Sequence, residues 1–150
     1  MSRFRRKPAL REVDPAGIAR RSAEAAAGVI QTVYGHTVTY ELDDLVFVDQ
    51  ALSDVAASGD QESKAQTIQA FGCLLGEILV RQDGGRWIAF DAENASVFGV
   101  AVGVELPNGR QTNPIGAAFR RVTGGAERSV LRFRDGVLGP LDGDNVRERN

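Results

Sequence analysis

Histidine, cysteine, methionine and tryptophan each occur once in this chain of 150 residues, and that scarcity removes several kinds of chemistry. A single cysteine, Cys73, rules out an internal disulfide. It falls in an apolar helical pattern with no cationic neighbour in sequence to lower its pKa, so it reads as a buried, inert thiol in a reducing compartment. A single imidazole, His36, leaves no multi-histidine metal site, and nothing beside it in sequence identifies the positioned partner that a general base needs. The sequence therefore points to no metal and no cofactor. Long hydrophobic runs are also missing. The stretch from Phe71 to Val80 contains Glu77 and is far shorter than the ~20 residues a membrane span requires. The basic start, Arg3-Phe4-Arg5-Arg6-Lys7, resembles the first part of an export signal, but no apolar segment follows between Pro8 and Arg21. A cytoplasmic protein is expected.

One further absence is local. Residues 22–63 hold no lysine or arginine and eight acids, whereas residues 1–21 hold seven basic residues against Glu12 and Asp14. The formal net charge of -2 thus hides a segregation of opposite charges along the chain. Overall composition, 43% apolar and 25% charged, is that of a soluble globular domain. A chain of this length buries roughly 68–70% of the surface its unfolded form exposes, enough for one core.

Periodicity divides the chain into a helical first half and a mixed second half. Residues 1–14 lack periodicity and read as a basic flexible arm, residues 15–135 as a single domain, and residues 136–150 as an irregular tail. Pro15 can open a first helix in which Ile18, Ala25, Val29, Ile30 and Val33 recur until Gly35. His36 to Tyr40 is extended, either a strand or a linker. A second helix over 42–57 carries Leu45, Val48, Leu52 and Val55 on one arc. The third, capped by Ser58 or Asp60 and ended by Gly84, carries Ile68, Phe71, Leu74, Leu75, Ile78 and Leu79. Gly72 and Gly76 each cost about 1 kcal/mol against alanine inside a helix, which implies a close crossing there.

After Gly84-Gly85 the pattern becomes strand-like. Trp87 to Phe90 and Val97 to Leu106 read as an antiparallel pair, and Pro107-Asn108-Gly109 as a turn. Asn113 and Pro114 form a cap and first residue for a short helix to Val122. Arg128 to Arg134 alternates as a last strand, with Leu131 and Phe133 inward and Arg128, Val130, Arg132 and Arg134 outward. The expected architecture is α+β: three N-terminal helices on a small antiparallel sheet, their stripes meeting Trp87, Phe90, Phe98, Leu131 and Phe133, with a short helix before the last strand.

Candidate chemistry is sparse. Asp43-Asp44 has adjacent rather than facing carboxylates and reads as a solvated face. Gly84-Gly85-Arg86 follows a helix instead of preceding one, the wrong order for a phosphate cradle. Glu77 and Arg81, one turn apart, form a surface pair worth about 0.2–0.5 kcal/mol. Two surfaces remain. On the second helix Asp43, Gln50 and Asp54 surround Val46 and Phe47, which point away from the buried stripe; an aromatic ringed by carboxylates suits a basic protein partner, the alternative being that Phe47 packs under the first helix or the His36 segment. On the last strand Arg128, Arg132 and Arg134, with Arg120 and Arg121 nearby, suggest a nucleic-acid or anion face. Glu105, Glu127 and Asp135 are positioned to neutralise it, and no aromatic residue joins it for base stacking.

The succession Tyr40 to Asp49, Phe71-Gly72-Cys73-Leu74-Leu75-Gly76-Glu77, Gly84-Gly85-Arg86-Trp87 and Asn113-Pro114-Ile115-Gly116 through Phe119-Arg120-Arg121 resembles a group of small uncharacterised bacterial domains, some of them similar to immunity proteins that neutralise toxins. The resemblance spans residues 34–134 and brings no catalytic residue. It implies structural roles for Gly76, Gly85, Trp87, Asn113 and Pro114, and an ion pair of Glu77 with Arg86, Arg120 or Arg121. The expected function is a non-enzymatic partner-binding protein, most concretely an immunity-type protein that covers a basic site on a toxin with Asp43, Phe47, Gln50 and Asp54. A nucleic-acid or anion binder using Arg128, Arg132 and Arg134, and a small enzyme with an unrecognised site, are the alternatives.

Overall fold

Pro15 fixes a helical φ at the first position of helix α1 (Pro15–Tyr34), and Gly35, at φ 68°, closes it by donating its N–H to the Gln31 carbonyl. The structure, a computed structural model, describes residues 14–58, 61–90 and 102–139. The expected basic arm through Val13, the cap at Asp60, the inward Phe98 and the tail beyond Gly139 lie outside the described residues.

Helix α1 buries Ala19, Ala23, Ala26 and Ile30. Of the expected stripe only Ile30 is on that face, while Ile18, Val29 and Val33 are exposed. Small side chains let α1 lie close against its neighbour, so alanine, the weakest apolar signal in the sequence, defines the contact. An irregular segment follows, not a strand, in which Tyr40 has a left-handed backbone at φ 64°.

Helix α2 (Asp44–Ala57) buries Leu45, Val48, Ala51 and Leu52. It begins at Asp44 because that carboxylate accepts the N–H groups of Thr39 and Glu41 and ties down the preceding turn. Helix α3 (Gln61–Asp83) is the centre of the domain, with its expected stripe, Ile68, Phe71, Leu74, Leu75, Ile78 and Leu79, entirely buried. Its two interior glycines mark close approaches. A Cβ on Gly72 would sit 2.5 Å from the Ile115 Cα, and one on Gly76 only 2.3 Å from the Trp87 ring.

Beyond Gly84, a left-handed residue at φ 76°, strand β1 (Arg86–Ala89) pairs antiparallel with β2 (Val102–Glu105), Trp87 opposite Val104. Strand β2 pairs in turn with β3 (Gln111–Thr112) around the Pro107-Asn108-Gly109 turn. Asn113 then accepts from the Gly116 N–H and opens helix α4 (Pro114–Gly124), which packs on α3.

The expected last strand is not formed. A 3-10 turn (Gly125–Arg128) leads to helix α5 (Val130–Leu138), capped by Ser129, whose hydroxyl accepts from the N–H groups of Leu131 and Arg132. Val130 and Val137, seven residues apart and so two helical turns, are its buried positions, and Leu131 is exposed. The arginine alternation therefore carried no strand information. The result is an α+β domain in which the N-terminal helices and α4 enclose α3, with a three-stranded antiparallel sheet beside them.

Candidate functional site

The carboxylates of α2 divide into an inner and an outer set. Asp44, expected on a solvated face, is 1% exposed. Its Oδ1 lies 2.6 Å from His36 Nε2, while its Oδ2 takes the two backbone N–H groups. Burial on its own would raise the Asp44 pKa, but the His36 hydrogen bond and the Glu41 and Thr39 amides outweigh it and hold the group below its ordinary value. Asp49 is likewise turned inward. One oxygen, Oδ1, accepts from Arg121 Nε and from the Val130 N–H, both at 2.9 Å, and so joins α2, α4 and α5.

The outer set consists of Asp43, Gln50 and Asp54, all exposed. Asp54 accepts from Gln50 Nε2 at 3.0 Å and from the Tyr34 hydroxyl. Burial, reinforced by that bond and by the Asp54 charge, pushes the Tyr34 phenol up to about 12. Phe47, expected either as the anchor of this face or packed beneath the first helix or the His36 segment, is half-buried and takes the second arrangement. Its ring stacks on the His36 imidazole with centroids 3.9 Å apart and 9° between planes, and Tyr34 lies at 6.2 Å. The apolar groups that do reach solvent are Val46, 56% exposed, and Leu42, 39% exposed. A spacing of four residues puts Val46 and Gln50 on one side of the helix, and Leu42 and Asp43 lie in the turn that leads into it.

A second polar cluster surrounds Glu77, which is buried at 2% exposure, not on a helix surface. Oε1 accepts from the Trp87 indole at 2.9 Å; Oε2 accepts from Arg81 Nε at 2.7 Å and faces Arg20 Nε at 3.6 Å. None of the partners implied by the resemblance is used. Arg86 bonds Glu105 across the strand pair, Arg121 is held by Asp49, and Arg120 makes no ion pair among the described residues. The pair with Arg81 does form. Tyr40 covers that arginine, with the guanidinium carbon 3.8 Å from its ring centroid, and Gln82 holds the Tyr40 carbonyl.

Arg128, Arg132 and Arg134 do not share a face as a strand would arrange them. Arg134 is clamped by both oxygens of Asp83 at 2.7 and 2.9 Å, and Arg132 donates to the Glu127 carbonyl. His36 is held by Asp44 and Phe47 rather than by a nucleophile. Cys73 is buried, and that burial raises its thiol to about 11 despite a hydrogen bond with Ser22 that lowers it. Among the described residues no three histidine, cysteine or acidic side chains converge as metal ligands, and no helix is long and apolar enough to cross a membrane. No family model, curated protein or solved structure matches the chain.

Proposed function

We propose that this chain is a non-enzymatic partner-binding protein whose outer α2 face docks onto a basic protein surface. The observation that supports this reading is the exposure of Leu42 and Val46 near Asp43, Gln50 and Asp54, on a helix and its leading turn that contain no lysine or arginine. Carboxylates at the edge steer a cationic partner, and apolar side chains at the centre supply the area removed from water. In this arrangement Phe47 is the floor of the face, positioned by His36, and Val46 is its apex. A basic toxin, neutralised in the manner of an immunity protein, is the partner class that fits both this chemistry and the resemblance noted above.

The test is affinity capture from bacterial cells that produce the protein, followed by calorimetry with the purified partner. Val46→Asp, and separately Asp43→Lys with Asp54→Lys, should each weaken binding at least about tenfold, the equivalent of 1.4 kcal/mol. The charge-reversed variant should also lose the salt dependence of association. If both variants bind the identified partner as tightly as the parent does, the α2 face is not the interface.

A further inference from the structure

Arg20 and Arg81 direct the same atom, Nε, at the same oxygen, Oε2 of Glu77. Their guanidinium groups, one from α1 and one from α3, therefore meet at one oxygen. A guanidinium is a planar fork, so Nε–H and one N–H of the adjacent terminal group share the edge that faces the anchor, while the remaining terminal N–H groups point away from it. Burial follows the same division. The Glu77 side chain is 3% exposed, while those of Arg20 and Arg81 are 54% and 47% exposed. The other carboxylate oxygen is committed to Trp87, so the anchor has little freedom to rotate toward solvent. Two cations over one carboxylate leave the cluster with a formal charge of +1.

The Tyr40 ring closes one side against Arg81. Its φ of 64° is an uncommon conformation for a residue with a side chain, held by Gln82 at 2.8 Å, and such backbone strain concentrates at ligand clamps. Glu24 stands one helical turn beyond Arg20, exposed, and its charge acts on Tyr40, as does that of Asp44. These acids oppose an anion without occupying the forks.

We propose that Arg20 and Arg81, anchored on buried Glu77 and flanked by Tyr40, form a binding site for one oxyanion group, a phosphate or a carboxylate. The ligand's oxygens would take the outward N–H donors of both forks, the bidentate arrangement that favours arginine over lysine. This site does not depend on the α2 face, so either can fail alone.

Trp87 is the one tryptophan in the chain and touches Glu77 directly, so its fluorescence reports on the site. Titrations with inorganic phosphate and with acetate, at constant ionic strength against a chloride control, should give a saturable change in emission that chloride does not give. Saturation by phosphate alone identifies a phosphate-type ligand, and by acetate alone a carboxylate-type one. Arg20→Gln, at a half-exposed position, should weaken binding about tenfold through loss of one charge-assisted contact. Glu24→Gln should tighten it, and Arg86→Gln, whose parent side chain is occupied by Glu105, should leave it unchanged. A response no different from chloride, or equal affinities in the parent, Arg20→Gln and Glu24→Gln proteins, would overturn the proposal.

Discussion

The Trp87 indole donates to Glu77 across the Gly84-Gly85 turn, so the side chain that fills the space above α3 also satisfies the carboxylate buried there. Such a carboxylate is tolerated because each oxygen is bonded; taking away its partners, or removing it from them, leaves buried polar groups unpaired. Glu77→Leu should destabilise the fold by about 1–3 kcal/mol, chiefly because the indole N–H loses its acceptor, the half-exposed guanidiniums of Arg20 and Arg81 being free to turn toward water. Glu77→Gln should cost less, since its amide oxygen can still accept from Trp87. Urea denaturation of the two variants checks the order, and equal losses would show that the indole bond contributes nothing.

Gly76→Ala and Gly28→Ala should move stability in opposite directions. Both are helix-interior positions where alanine is intrinsically better by about 0.5–1 kcal/mol. At Gly28 nothing apart from the chain neighbours and the helix's own backbone lies within 4 Å of the new methyl group, so that gain should appear in full. At Gly76 the methyl would sit 2.3 Å from the Trp87 ring and 3.1 Å from Pro114, and overpacking of this kind costs about 1–3 kcal/mol. Thermal unfolding midpoints should therefore rise for the first variant and fall for the second.

The two interior glycines of α3 show what a sequence can and cannot disclose. Gly72 and Gly76 stand inside a long, strongly periodic apolar pattern, so both the helix and the need for close neighbours were legible; that the neighbours are Ile115 and Trp87 was not. The buried face of α1 was misplaced because alanines make it, while the bulkier Ile18, Val29 and Val33 face outward. Arg128 to Arg134 was misread because seven alternating residues suit a strand, and the deciding signals were the Ser129 cap and the Val130 to Val137 spacing. Strand β3 has two residues, too few to show any period. In the candidate sites, the adjacency of Arg20 to Glu77, and the inward turn of Asp44 and Asp49, arise from how helices pack and leave no mark in local spacing.

Asp44 should make the fold acid-sensitive in a defined range. Its folded-state pKa is lowered from the ordinary 3.8, because its hydrogen bonds outweigh the opposing effect of burial. The stabilisation is therefore present in full above the unfolded value and is lost as pH falls through the folded one. Chemical denaturation in steps downward from about pH 5 should show stability declining below about pH 4 in the parent. Asp44→Asn should be weaker at neutral pH by about 1–3 kcal/mol, because one amide oxygen cannot serve two backbone N–H groups and His36. Its curve should be flatter in the acid range. A parallel decline in both proteins would assign the acid sensitivity elsewhere.

Asp49 and Asp83 each tie helix α5 or its approach to the rest of the domain, yet their loss should cost different amounts. Asp49 Oδ1 serves Arg121, 7% exposed, together with the Val130 N–H, so Asp49→Ala leaves a buried cation and a buried amide without an acceptor. That should cost about 3 kcal/mol or more. Arg134, the partner of Asp83, is 22% exposed and can turn toward water when its carboxylate is removed, so Asp83→Ala should cost about 1 kcal/mol. Adding Arg121→Met to the Asp49 variant should recover the part of the loss that comes from the stranded guanidinium, because an apolar side chain of similar length is at home in that position. Hydrogen exchange separates the remainder: the Val130 amide should lose protection in the Asp49 variant with or without the second change, and keep it in Asp83→Ala. Full recovery of Val130 protection by Arg121→Met would mean that the arginine, not the shared oxygen, holds the start of α5 in place.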